Sequence, residues 1–140
     1  GSVKSYSPRD AVYYDYETTS KGILEKYIPG DYEFDLPARQ IELLKKKEFG
    51  QYMDKRKKDL VVGFITTNDI TGGNSGSPVM DGYGNLIGLA FDGNYEALSH
   101  KIAFDKDLNR TICVDVRYVL WCIDILGGAK NIINELKIVR

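Results

Sequence analysis

Three observations predict a mainly β domain for this 140-residue chain: an antiparallel barrel with a C-terminal helix and one additional helix. The short β-branched run Leu60 to Thr67 reads as a buried strand that delivers the chain to a glycine-rich loop at residues 71–78. Pro78-Val79-Met80 and Leu86 to Phe91 are joined by Asp81-Gly82-Tyr83-Gly84-Asn85, a link of hairpin length. Arg117 to Leu126 is dense in apolar residues and is stopped by Gly127-Gly128, as expected of a helix near the chain end. Strand, loop, hairpin, strands and helix in that order suit a closed antiparallel barrel.

The remaining elements follow from local chemistry. Ser7-Pro8-Arg9-Asp10 reads as an entry point with a capping residue before proline, and Ala11 to Thr19, with Tyr13, Tyr14 and Tyr16, as a strand. Gly22 to Ile28 is expected to be extended and to end at the turn Pro29-Gly30-Asp31. Asp35-Leu36-Pro37 marks a helix start, and Ile41, Leu44 and Phe49 recur at helical spacing until Gly50. Beyond the hairpin, strands are expected at Lys101 to Phe104 and Arg110 to Val114 around the polar turn Asp105 to Asn109. Ala129 to Leu136 adds a second, turn-rich helical piece.

Composition excludes several function classes. The net charge is −1, and the basic runs Lys45-Lys46-Lys47 and Lys55 to Lys58 are flanked by Glu42, Glu48, Asp54 and Asp59. Solvated faces rather than a nucleic-acid groove are expected. No apolar run has the length of a membrane span, and no signal peptide opens the chain. Gly1-Ser2 looks like a cloning remnant, so residues 3–140 are expected to be a piece of something longer. Acidic residues are scattered without a histidine pair, so neither a metal nor another cofactor is expected. Cys113 and Cys122 sit in apolar runs and read as packed free thiols, although one bridge between them is compatible with their spacing. Neither has a basic neighbour that would make it a nucleophile. Trp121, with Tyr118, Leu120 and Ile125, reads as a packed helix face.

The chemistry concentrates in Thr71-Gly72-Gly73-Asn74-Ser75-Gly76-Ser77-Pro78. Glycines on either side of a serine let the backbone turn tightly enough to push Oγ outward, while the Gly73 and Ser75 amides converge on a developing oxyanion. A phosphate-binding loop would need a lysine after the last glycine and then a helix. Here Gly76 leads through Ser77 into a strand. A Gly-x-Ser-x-Gly elbow is excluded by both spacing and context. The alternative without chemistry is a polar turn between strands. A serine nucleophile also needs a histidine base held by a carboxylate, and the single histidine, His100, lies in a segment with no such signature. It is expected to be an exposed loop residue.

Thr67 to Val79, Gly88 to Asn94 and Val114 to Trp121, together with Pro8 to Tyr14, resemble the dipeptidyl peptidase 7 and 11 family of bacterial serine exopeptidases. That resemblance covers nearly the whole chain. It implies the second, C-terminal barrel of a chymotrypsin-like double barrel, within an enzyme of the periplasm or cell surface that removes dipeptides from peptides with free N-termini. Carried over by position, Ser75 is the nucleophile and Gly73 an oxyanion donor. Phe91, Asp92 and Gly93 line the substrate cleft, with Asp92 available to pair with a substrate α-ammonium group. Glycine at position 93, where the acid-preferring branch has arginine, implies hydrophobic P1 residues. The family's histidine and aspartate belong to upstream polypeptide, so this chain alone is expected to be inactive and to need the remaining lobes of its parent.

Asn74 departs from the aspartate that precedes the nucleophile in many peptidases of this fold, so activation by ion pairing with a new N-terminus is not expected. The triplet Asn109-Arg110-Thr111 fits a glycosylation pattern that bacterial origin would silence. The rival reading is a non-catalytic binding or interaction module of the same fold. An isolated second barrel is expected to self-associate through the wall that normally meets its partner.

Overall fold

The computed structural model describes residues 1–99 and 104–139. They form two compact units, Gly1–Thr18 with Gly63–Val116 and Thr19–Val62 with Arg117–Arg140.

The first unit is built from antiparallel strands. β1 (Tyr6–Arg9) and β2 (Val12–Tyr14) make a two-stranded sheet. β3 (Glu17–Thr19), β4 (Val61–Thr66), β5 (Pro78–Met80), β6 (Leu86–Gly93) and β7 (Thr111–Asp115) make a five-stranded sheet in the order β3-β4-β7-β6-β5. β5 and β6 are the expected hairpin, paired Pro78 to Leu89 and Val79 to Gly88. Asp81 shapes its turn by accepting the Tyr83 and Asn85 main-chain N–H groups at 2.8 and 2.9 Å. Phe64, Ala90 and Cys113 form this unit's core, with Ile70, Val79 and Ile87 packed against them. Gly88 is required there. A Cβ at that position would stand 2.6 Å from the Phe64 ring and 2.5 Å from the Val114 carbonyl oxygen.

The second unit is helical. It contains α1 (Ser20–Lys26), α2 (Ala38–Lys45), α3 (Val116–Trp121) and α4 (Lys130–Asn134), with a π-helical turn at Cys122–Leu126 continuing α3. Leu43, Leu44, Phe49, Tyr52, Leu60 and Trp121 are its core. Trp121 is fully buried, stacks on Tyr118 at 5.9 Å, and donates its indole N–H to the Glu48 carbonyl at 2.9 Å. The expected packed face is confirmed.

Four expectations are corrected. Ala11 to Thr19 is not one strand but β2 and β3, and Ser7, Pro8 and Arg9, read as an entry point with a capping residue, lie in β1. Proline is tolerated because β1 belongs to a two-stranded sheet and an edge position requires no donor from it. Asp10 and Ala11 make the intervening turn, where Ala11 takes a φ of 61°. Residues 20–26 are helical rather than extended, because Ile23 and Leu24 on successive positions both pack against the second core. The Lys21–Glu25 pair at 3.4 Å supports the same helix on its exposed side. α2 stops at Lys45 rather than near Gly50, after which Lys47 and Gly50 turn the chain at positive φ. The expected strand at Lys101 to Phe104 and His100 fall outside the described residues, apart from Phe104, which lies in no strand.

A side chain of each basic run meets a carboxylate, and in the second run Arg56 lies 3.3 Å from Asp54. Lys46 pairs with Glu42 at 2.6 Å. Asp54 organises the 54–59 loop by accepting the main-chain N–H groups of Arg56 and Lys57 and the guanidinium of Arg117 at 2.8 Å. Those donors, the Lys57 amide foremost, hold its carboxyl far below the usual carboxylate range.

Candidate active site

The 71–78 loop is closed from within. Asn74 Oδ1 accepts the Thr71 main-chain N–H at 2.9 Å and the Thr71 hydroxyl at 3.2 Å, while the Asn74 N–H returns to the Thr71 carbonyl at 3.1 Å. Asn74 therefore shapes the loop with its neutral carboxamide, without an incoming ammonium group. The far end is clamped to β6, with Gly76 N–H on the Ala90 carbonyl at 2.7 Å and Ala90 N–H on the Ser77 carbonyl at 3.0 Å. Gly73 at φ 93° and Gly76 at φ 86° provide the conformations that a side chain would disfavour.

Ser75 lies exposed between these glycines. Among the described residues, neither its main-chain N–H nor that of Gly73 enters a hydrogen bond. Both donors remain available to an oxyanion. The Ser75 hydroxyl donates to the Phe91 carbonyl at 3.1 Å. A bulge in β6 accounts for that acceptor. The β6–β7 ladder pairs Ala90 with Cys113 and Asp92 with Ile112, leaving Phe91 as the extra residue whose backbone is re-aimed.

A cavity of about 190 Å³ opens beside Ser75, between the 70–72 segment on one side and Phe91, Asp92, Gly93, Ala97 and Leu98 on the other. The structure thus brings together Ser75, Phe91, Asp92 and Gly93, with Gly73 in the adjoining loop. At Gly93 an added Cβ would meet Ala97 Cβ at 3.3 Å and Ile70 Cγ2 at 3.5 Å, so the glycine lets two apolar walls approach one another closely and puts no side chain of its own into the cavity. Asp92 is exposed and accepts the Gly93 N–H at 2.8 Å. Sequence reasoning did not find Ile70, Ala97 or Leu98. Their contribution depends on the short helical turn Tyr95–Ser99 folding back beside β6, for which the sequence carries no distinctive signal.

A model described as peptidase S46 matches residues 1–138. The chain belongs to the peptidase S46 family. It is 58% identical over 144 residues to a protein named Dipeptidyl-peptidase 7 from Capnocytophaga gingivalis, covering 100% of this chain and 20% of that protein. It is 52% identical over 140 residues to an Asp/Glu-specific dipeptidyl-peptidase from Flavobacterium psychrophilum, covering 100% of this chain and 19% of that one. The crystal structure of Porphyromonas endodontalis DPP11 in complex with dipeptide Arg-Glu matches with a TM-score of 0.93 at 38% identity, over 96% of this chain and 19% of the other. This S46 chain spans about a fifth of the length of such relatives. Relatives with both kinds of name match well, so P1 preference has to be argued from the cavity.

Neither cysteine of this S46 chain has the features of a reactive centre. Cys113 and Cys122 are free thiols, and burial pushes Cys113 up to about 11 and raises Cys122 as well. Asn109 is 2% exposed, which removes the glycosylation triplet from the surface. Among the described residues no group of three or more His, Cys, Asp or Glu side chains is placed to hold a metal ion, and no helix is long and apolar enough to cross a membrane.

Proposed function

We propose that this chain is the nucleophile-bearing lobe of a serine dipeptidyl peptidase that releases N-terminal dipeptides with hydrophobic P1 residues. The observation that carries the reading is the placement of an outward Ser75 hydroxyl at a cavity whose wall lacks a side chain at Gly93. In the whole protein, Ser75 Oγ attacks the carbonyl carbon after the second substrate residue, and a histidine from upstream polypeptide takes its proton. The Gly73 and Ser75 N–H groups receive the oxyanion, the histidine returns the proton to the leaving amine, and water then releases the dipeptide. Asp92 beside the cavity supplies a carboxylate for the substrate α-ammonium group, which limits cleavage to free N-termini.

Hydrolysis of dipeptidyl amides by the full-length protein tests this reading. Leu or Phe at P1 should be cleaved in preference to Asp or Glu, and Ser75→Ala should lose at least about 10³-fold in kcat. Absence of hydrolysis in the wild type, or full activity in Ser75→Ala, would contradict it.

On this reading the whole protein works in the periplasm or at the cell surface, which fractionation of cells would check. Phe91 and Leu98, which line the cavity, are 49% and 71% exposed. The remaining lobes of the parent would cover such a face, and the chain alone should self-associate through it. A clean monomer in concentrated sedimentation runs would argue against that covering role.

A further inference from the structure

Asn94 follows Gly93 and lines the same cavity, yet it is only 6% exposed because its carboxamide is turned inward. Oδ1 accepts the main-chain N–H of Arg110 at 2.8 Å, and Nδ2 donates to the Leu108 carbonyl and to Glu96 Oε2, each at 2.8 Å. Its main chain adds two more ties: its N–H donates to the Arg110 carbonyl at 2.9 Å, and its carbonyl accepts the Ala97 N–H at 3.0 Å. Ala97 is the residue that faces Gly93 most closely.

Arg110 is a fixed anchor. It is 1% exposed, and its guanidinium donates to the carbonyls of Lys4, Ser5, Lys106 and Asn109 while lying 5.1 Å from the centre of the Tyr6 ring. The Tyr6 hydroxyl in turn donates to Glu96 Oε2 at 2.8 Å. The opposite wall hangs from the next residue along, since Thr111 Oγ1 donates to the Asn68 carbonyl at 2.7 Å, two positions before Ile70.

Building on the peptidase reading, we infer that Asn94 is a positioning residue for the P1 cavity. By tying Gly93 and Ala97 to the anchored Arg110 backbone, it sets the width of the cavity and hence which P1 side chains enter, without touching the scissile bond. Only a carboxamide meets the demand for one acceptor and two donors here. Alanine would leave the Arg110 N–H and the Leu108 carbonyl without their partner, and aspartate would set a second carboxylate against Glu96.

The test is Asn94→Ala in the full-length protein, with kcat and KM measured on dipeptidyl amides carrying Phe, Leu or Ala at P1. KM for Phe and Leu should rise about tenfold or more, with kcat within about threefold, because ground-state and transition-state binding in the cavity weaken together. The Ala substrate, which leaves the cavity unfilled, should keep its constants, and diisopropyl fluorophosphate should label Ser75 at the wild-type rate. A uniform fall in kcat across all three substrates, or an unaltered P1 profile, overturns the inference. If Asn94→Ala does not fold, Asn94→Asp keeps an acceptor for the Arg110 N–H but loses both Nδ2 donors, and should give the same ordering at about two- to fivefold; a wild-type profile there is equally fatal. An inert wild-type protein overturns the peptidase reading and this one together. An active wild type whose P1 profile survives Asn94→Ala overturns this one alone.

Discussion

Gly93→Arg in the full-length protein should move P1 preference from hydrophobic to acidic residues. The new Cβ would stand 3.3 Å from Ala97 Cβ and 3.5 Å from Ile70 Cγ2, so the change requires Ala97 to shift by a few tenths of an ångström. The guanidinium would then occupy much of a cavity of about 190 Å³. An apolar P1 side chain would lose a burial worth about 1.5–3 kcal/mol. An Asp or Glu at P1 would gain a charge-assisted, two-pronged hydrogen bond of about 1.5–3 kcal/mol. Together these change the ratio of kcat/KM between Glu and Leu substrates by about 10²- to 10⁴-fold. The assay is hydrolysis of paired dipeptidyl substrates that differ only at P1. An unchanged ratio in a folded, active variant would refute the assignment of Gly93 to the P1 wall.

Other expectations concern stability and reactivity. Asp54 has a folded-state pKa below its unfolded value, so its contribution is complete above about pH 4 and drains away as pH falls towards the folded value. Asp54→Asn should therefore lower the unfolding midpoint at neutral pH and narrow its gap from wild type below about pH 3, as thermal melts across pH would show. Gly88→Ala forces a methyl against the Phe64 ring and the Val114 carbonyl and should cost at least about 1–3 kcal/mol, read from the urea midpoint. Cys113, fully buried and with its thiol raised to about 11, should resist iodoacetamide at pH 8 until denaturant is added. Rapid native labelling would contradict that burial.

Much of the site was legible because its chemistry is local. The glycines around Ser75 are required by turns that a side chain would strain, and Gly73 and Gly76 do adopt positive φ. The β5–β6 hairpin was legible for the same reason, since Asp81 and its glycine neighbours form a self-contained turn. The α1 segment was not, because Gly22 weakens the local helical signal and only the packing of Ile23 and Leu24 against the second unit's core favours the helix. Likewise Pro8 is read correctly only once β1 is known to lie in a two-stranded sheet. Ala97 and Asn94 owe their places to Arg110 and Leu108, more than ten residues away in sequence, which no local pattern announces.

The most direct test of the central claim is covalent. The full-length protein should react with a serine-directed dipeptidyl phosphonate, and peptide mapping should place the adduct on Ser75 and lose it in Ser75→Ala. An adduct on any other serine, or none on a protein that cleaves dipeptidyl substrates, would contradict the account.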